Sequence, residues 1–233
     1  MNYAEPGESG NKNVTRTNYQ KRMEELIARS CADGEVPRLL LHSCCAPCSS
    51  YCLMVLSEYF EVTVLYYNPN IYPEEEYRMR AREQERFIRE FPTKHPVSFV
   101  EGAYDTERFY AMAKGLEAEP ERGARCTGCY ELRLREAAEY AAKGEYDYFT
   151  TTLSISPMKD AERLNAIGGR LAEEYGVAYL YSDFKKKEGY KKSTEISREY
   201  GMYRQDYCGC VFSLREREHM REQQMEGQYK NDY

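Results

Sequence analysis

No run of apolar residues in this chain is long enough to span a bilayer, which removes the simplest form of membrane insertion. The start, Met1 to Asn13, is polar and carries glycine and proline in place of a signal-like apolar stretch. The expectation is a soluble, cytoplasmic protein with no membrane partner. Also missing are G-x-x-x-x-G-K-[ST], G-x-G-x-x-G and Ser-Gly-Gly-x-Asp-Ser, so binding and cleavage of ATP has no visible apparatus. Histidine is scarce, and the three present, His42, His95 and His219, share no metal-ligand spacing. His42 is expected in the core or behind a site, the other two at the surface. Excess positive charge is lacking as well. A net charge of −6 gives no global footprint for nucleic acid, so a polyanionic partner must be held by a local patch. One patch exists between Lys185 and Arg204, where Lys185, Lys186, Lys187, Lys191, Lys192, Arg198 and Arg204 face only Glu188, Glu195 and Glu199.

What the chain does have is cysteine. Seven of nine fall into three tight groups, Cys44-Cys45-x-x-Cys48, Cys126-x-x-Cys129 and Cys208-x-Cys210. An odd count with x-x spacings argues against a secreted disulfide framework and for metal binding in a reducing compartment. Thiolates are soft ligands suited to zinc, copper(I) or iron–sulfur clusters, and four complete one such site. Seven exceed it. A four-cysteine site is therefore expected, with a second function for the remainder: a redox-active dithiol or ligands for another metal ion.

At 233 residues the chain suits one large α/β domain, expected over residues 17–220, with a disordered extension at 1–16 and a polar tail at 221–233. Thr17-Asn18-Tyr19-Gln20 has the form of a capping box, and Gly34 ends the first helix. Strands are then expected at Arg38–His42, Val62–Tyr67, Val97–Val100, Tyr148–Leu153 and Val177–Tyr181. Helices are expected at Pro73–Phe91, Thr106–Lys114, Thr127–Lys143 and Lys159–Tyr175. This alternation implies a parallel sheet of about five strands with helices on both faces, and ligands in such sheets bind beyond the carboxyl ends of the strands.

The first cysteine group lies at that place, directly after the first strand. In a turn, Cys44 and Cys45 can touch different corners of a cluster, and Cys48, at the helix start, can join either site. Cys126 and Cys129 open a helix, whose dipole is expected to lower their pKa and favour ligation. A disulfide across Cys208-Gly209-Cys210 would close a small strained ring of the labile, catalytic kind, and Gly209 permits the bend. Cys31 and Cys52 read as small buried hydrophobes.

Leu41-His42-Ser43-Cys44-Cys45-Ala46-Pro47-Cys48 is one of five ordered motifs that coincide with a known family. The others are Tyr67-Asn68-Pro69-Asn70-Ile71-Tyr72-Pro73 with Glu76-Tyr77-x-x-Arg80, Arg125-Cys126-x-x-Cys129-Tyr130-x-x-Arg133-Leu134, Thr151-Thr152-Leu153-Ser154-Ile155-Ser156-Pro157, and Tyr203-Arg204-Gln205-x-Tyr207-Cys208-Gly209-Cys210. From about Asn18 to Ser213 the chain resembles the cobalamin-independent epoxyqueuosine reductases of the QueH type. The resemblance implies a fold like the adenine-nucleotide alpha-hydrolases (HUP/Rossmann-like). It also implies reduction of the epoxide of epoxyqueuosine to queuosine at the tRNA wobble position, the last step of queuosine biosynthesis. It implies a 4Fe–4S cluster on Cys44, Cys45, Cys126 and Cys129. Cys208 and Cys210 match a third pair, either a redox-active disulfide or ligands of a second iron. The position of Cys48 admits Cys or Asp, so an additional iron ion there is a further expectation.

The implied partners are a tRNA carrying epoxyqueuosine and an unidentified electron donor. The reaction takes two electrons and two protons and releases water, so a proton donor must reach the epoxide oxygen. Tyr207, Asp206, Tyr130 and Tyr67 are the candidates. Asn68, Asn70, Arg80, Lys185, Lys186, Lys191 and Lys192 are candidates for substrate contacts, although turn formation explains the asparagines equally well. Two other classes compete. A sulfur-transfer or tRNA-thiolation enzyme would need the missing ATP loop, and a non-enzymatic zinc module that binds RNA would leave Cys208-x-Cys210 idle.

Overall fold

The structure, a computed structural model, describes residues 17–30, 32 and 34–231, with side chains through residue 225. The expected extension at 1–16 and the reading of Cys31 lie outside the described residues. The first helix, α1 (Tyr19–Ser30), is capped one residue later than the capping-box pattern implies: Asn18 Oδ1 accepts from the Lys21 amide at 3.1 Å. Asparagine caps at least as well as threonine, so the two neighbours compete for the same role.

Five strands, β1 (Arg38–His42), β2 (Glu61–Tyr66), β3 (Val97–Glu101), β4 (Tyr148–Thr151) and β5 (Ala178–Tyr179), form one sheet in the order β3-β2-β1-β4-β5. All pairings are parallel, as the alternating pattern requires, with Leu41 opposite Val64 and Thr150. The fifth strand is shorter than Val177–Tyr181, yet the Leu180 amide still reaches Phe149 O at 2.9 Å. Connecting the strands are α2 (Ala46–Leu56), α3 (Glu74–Glu90), α4 (Thr106–Ala113), α5 (Ala124–Lys143) and α6 (Ala161–Tyr175). Helix α6 starts two residues after Lys159 because Asp160 is its cap, accepting from Glu162 N at 2.9 Å and Arg163 N at 3.2 Å. It stops at Gly176, whose φ of 69° is left-handed.

Period-2 alternation in β1 sends Leu39 and Leu41 to one face and Leu40 to the other. The first face packs on Met23 and Ile27 of α1, Leu53 and Leu56 of α2 and Phe87 of α3. On the second, Leu134, Ala137, Ala138 and Ala141 of α5 meet Leu164 and Leu171 of α6. Small residues on α5 and α6 let both lie close to the sheet. Two further helices follow β5, α7 (Gly189–Glu199) and α8 (Val211–Asn231). The second of these orders the Arg-, Glu- and Gln-rich stretch after Ser213 as a helix. Among the described residues, no helix is long and apolar enough to cross a membrane.

The strand order reverses between β1 and β4, which places a crevice at their carboxyl ends. A 3-10 turn, Thr152–Ile155, follows β4 directly and forms one wall. Helix α6 reaches the sheet through Gly168, where a Cβ would stand 2.3 Å from the buried Tyr179 ring. Replacing a helical glycine with alanine normally stabilises by about 1 kcal/mol. Here Gly168→Ala is expected to cost about 1–3 kcal/mol through overpacking, measured as a lower urea midpoint with unchanged slope.

Candidate metal centre

The loop after β1 is built as an extension of the sheet. Ser43 N–H donates to Leu65 O at 2.9 Å, adding one more parallel rung. Asn68 Nδ2 donates to Ser43 O at 2.8 Å, and Ser43 Oγ donates to Gln84 Oε1 at 2.7 Å. Gln84 in turn donates to Ser49 Oγ of α2 at 2.8 Å, so three elements hold one turn. His42 is fully buried beside it. Its Nε2 lies 3.1 Å from Tyr67 O and its Nδ1 2.9 Å from Thr151 Oγ1. A carbonyl only accepts, so Nε2 carries the proton and Nδ1 accepts from the threonine hydroxyl. Burial, with Arg133 adding to it, pushes the His42 pKa down to about 3, which keeps the ring neutral.

Cys45 is the N-cap of α2 in extended geometry, with Pro47 in the first turn. This kink turns Cys44, Cys45 and Cys48 toward one point. Their sulfurs all lie within 4.8 Å of one another, and Cys44 and Cys45 are 3.8 Å apart. The triad can hold a metal ion. It shares its protons unevenly. Hydrogen bonds from Cys45 and Cys48 pull Cys44 well below the usual thiol range, with Lys159 and Arg133 assisting. Serving as donors to Cys44 raises Cys48 and pushes Cys45 up to about 12.

Cys126 and Cys129 stand in the first turns of α5, and there the expected lowering by the helix dipole does not occur. Burial raises Cys126, although its sulfur accepts from Arg122 N at 3.3 Å, and burial pushes Cys129 up to about 12. A helix terminus contributes up to about 1–2 kcal/mol, and desolvation of a buried thiolate exceeds it. Cys126 packs against the residues around Cys44 and Cys45, while Cys129 packs with Phe109 and Cys210. Cys208 and Cys210 act electrostatically on both. Gly209, at φ 128°, allows the two thiols to diverge. Cys208 faces a cavity with Cys44 and Cys48, whereas Cys210 is buried and its sulfur accepts from Ser213 N at 3.4 Å. Both thiols are free. Cys52 is buried and donates to Cys48 O at 3.4 Å, as a small core residue does.

The cavity, about 350 Å³, opens at the carboxyl ends of β1 and β4 and is closed by α7, the loop after it and α8. Three cations surround the sulfurs. Burial works against the charge of Lys159, and Cys208, Cys44 and Cys48 override it, so its pKa is raised. Arg133 is buried, donates to Cys129 O at 3.2 Å and is held charged by Cys129, Cys208 and Cys44 against its desolvation. Arg80, 1% exposed, pairs with Glu76 at 2.7 Å and lies within the field of Cys45.

The proton-donor candidates divide by position. Tyr207 and Asp206 line the cavity, but Tyr207 Oη donates to Tyr72 O at 2.6 Å. Asp206 pairs with Arg217 at 3.1 Å and with Arg221. Tyr130 is buried and within reach of Lys159, Cys126 and Cys208. Tyr67 packs in the α5-side core with Arg108 5.7 Å over its ring and does not line the cavity. Among the substrate candidates, Asn68 and Asn70 are buried, and Arg80 is enclosed. Lys185 donates to Ser154 O at 2.8 Å and pairs with Asp183 at 3.1 Å. Lys186 and Lys191 are exposed, Lys191 pairs with Glu188 at 3.5 Å, and Lys192 lies over Tyr51. Tyr190 and Ser193 of α7 line the cavity, whereas these four lysines do not.

Lys159 and Gln205 were not anticipated. Lys159 follows the Thr151–Pro157 motif by two residues, and Gln205 lies inside the last motif, so position beside a motif was the available signal.

The chain matches the family model described as Epoxyqueuosine reductase QueH over residues 39–216. The epoxyqueuosine reductase QueH of Staphylococcus epidermidis is 45% identical over 202 residues, covering 85% of both chains. That of Haemophilus influenzae is 44% identical over 188 residues, 80% of this chain and 75% of the relative. That of Thermotoga maritima is 35% identical over 182 residues, 77% of this chain and 91% of the relative. A match that runs from β1 through the cysteine-bearing loops into α8 leaves one conclusion: this chain belongs to the epoxyqueuosine reductase QueH family.

Proposed function

We propose that this protein reduces the epoxide of epoxyqueuosine in tRNA to the alkene of queuosine. The observation that carries this reading is the convergence of Cys44, Cys45 and Cys48 at the switch point of the sheet, on a cavity that Cys44, Cys48, Cys208 and the cation of Lys159 line. Family membership supports it, since the named relatives are epoxyqueuosine reductases.

Cys44, Cys45, Cys126 and Cys129 are the proposed ligands of a 4Fe–4S cluster, and the donor chemistry fits: soft thiols, three of them buried and Cys126 half-buried, with cations to offset a net negative centre. Cys48 and Cys208 share the cavity wall and suit an additional iron ion, while Cys208 with Cys210 remains the alternative redox pair. Bound iron–sulfur chemistry would supply single electrons and a Lewis acid for the epoxide oxygen. The reaction consumes two electrons from an external donor and two protons, breaks both C–O bonds and releases water. The residues of the chain position and protonate. Lys159 lies beside Cys44, Cys48 and Cys208 on the cavity wall, where its ammonium can donate to the departing oxygen. Tyr130 stands behind it as the relay. Arg204 on the cavity wall and the exposed Lys186 and Lys191 offer charge to RNA phosphates without making the whole surface basic.

Protein purified without oxygen is expected to be brown, with iron and sulfide in roughly equal amounts. Cys126→Ala should lose most of both and Cys52→Ala should lose neither; a colourless wild type holding only zinc would overturn the assignment. Incubation of the reduced protein with epoxyqueuosine-containing tRNA, followed by nucleoside mass analysis, should show loss of one oxygen. Lys159→Met is expected to slow that conversion roughly 10²-fold or more at unchanged iron content, measured under single-turnover conditions.

A further inference from the structure

Gln205 sits at the wall of the cavity, and every residue around it is tied elsewhere. Tyr203 N–H donates to Glu83 Oε1 at 3.1 Å, and its hydroxyl donates to Glu76 Oε2, also at 3.1 Å. Arg204 Nη1 donates to Ser197 Oγ at 3.0 Å. Asp206 is held by two arginines of α8, and Tyr207 donates to Tyr72 O. Four fastened neighbours fix the backbone so that the Gln205 side chain turns inward alone.

Its amide has two ends with different fates. Nε2 donates to Cys45 Sγ at 3.1 Å. The one proton of the Cys45 thiol is directed to Cys44, so toward Gln205 the sulfur accepts, which sets the amide with nitrogen toward sulfur. Oε1 is then buried with no hydrogen-bond partner, on a side chain that lines the cavity. A buried unpaired acceptor costs about 1–3 kcal/mol, and such groups call for an explanation. A ligand that brings a donor supplies one.

We propose that Gln205 is a two-ended positioning residue. Its N–H holds the Cys45 sulfur and tunes the electron affinity of the metal centre, and its carbonyl oxygen receives a hydrogen-bond donor of the bound nucleoside. The second half rests on the reading of the chain as an epoxyqueuosine reductase; the first does not. Hydrogen bonds to ligand sulfurs stabilise the more negative, reduced state and so raise the reduction potential. Through the same amide, occupation by substrate and the readiness of the centre to accept an electron become linked.

Two variants separate the ends. Gln205→Met removes both hydrogen bonds at similar length. Gln205→Glu keeps an acceptor for the substrate but loses the N–H and adds negative charge. In anaerobic redox titrations followed by electron paramagnetic resonance, both variants are expected to show a more negative midpoint potential than wild type. In steady-state assays, Gln205→Met should raise KM for the tRNA roughly 2- to 10-fold, while Gln205→Glu stays within about 2-fold. An unchanged potential in both variants overturns the first half, and an unchanged KM in Gln205→Met overturns the second. Loss of metal from both would make Gln205 a structural prop and overturn the proposal as well. A wild type that binds metal but leaves the epoxide intact would instead defeat the functional reading, and the potentials would still decide the first half.

Discussion

Bringing so many thiols together inside a protein is an electrostatic problem before it is a chemical one. Each thiolate, or a cluster built on them, carries negative charge into a medium that solvates it poorly, at a cost of several kcal/mol per unpaired ion. Arg133 shows how the balance is struck. It is buried, and its hydrogen bonds go to neutral groups, Cys129 O and, at 3.5 Å, Asn68 Oδ1, so the sulfurs are its counter-charge. Arg80 differs, since Glu76 neutralises much of it locally. Lys159 completes the set from the opposite wall. Remove the sulfurs and Arg133 becomes an uncompensated buried cation; remove Arg133 or Lys159 and the Cys44 thiolate loses a charge that favours it. Stability and metal chemistry are thus drawn from the same interaction.

The topology makes that concentration possible. In a sheet ordered β3-β2-β1-β4-β5, loops leaving β1 and β4 diverge to opposite sides, and the gap between them needs no strand or helix to fill it. Cys44, Cys45 and Cys48 enter from β1, and Lys159 enters from beyond β4. Helix α5 brings Cys126, Cys129 and Arg133 on one face because positions three and four apart share a side. The chain then returns after α7 with Gln205 and Cys208 in the cavity wall and Cys210 packed with Cys129, so that four distant segments meet around the sulfurs.

Much of the frame was legible in the sequence. Strand positions follow from short β-branched runs between glycine stops, and parallel pairing follows from the helices between them. Helix starts shifted by a residue or two where an adjacent side chain, Asn18 or Asp160, capped better than the residue first chosen. The cysteine groups were visible, but their partition in space was not. Spacing says which thiols lie on one turn; it does not say that Cys48 faces Cys44 or that Cys208 and Cys210 diverge about Gly209. Arg80, expected among the substrate contacts, is instead buried. The Glu76-x-x-x-Arg80 spacing carried the contrary signal, an i,i+4 pair able to enter the interior together. Lys159 had only its place beside the Thr151–Pro157 motif as a signal, since its role depends on Cys44, Cys48 and Cys208, which are distant in sequence.

The rung from Ser43 to Leu65 bears on how the centre is made. Small zinc modules acquire their fold from the metal, because nothing else organises the ligands. Here the turn that carries Cys44 and Cys45 is hydrogen-bonded into a sheet whose two cores close on leucine, valine, alanine and phenylalanine. The vessel is finished before it is filled. A metal held by these cysteines would enter a standing scaffold, and one that is lost could be replaced in place, which makes repair a matter of supply and not of refolding.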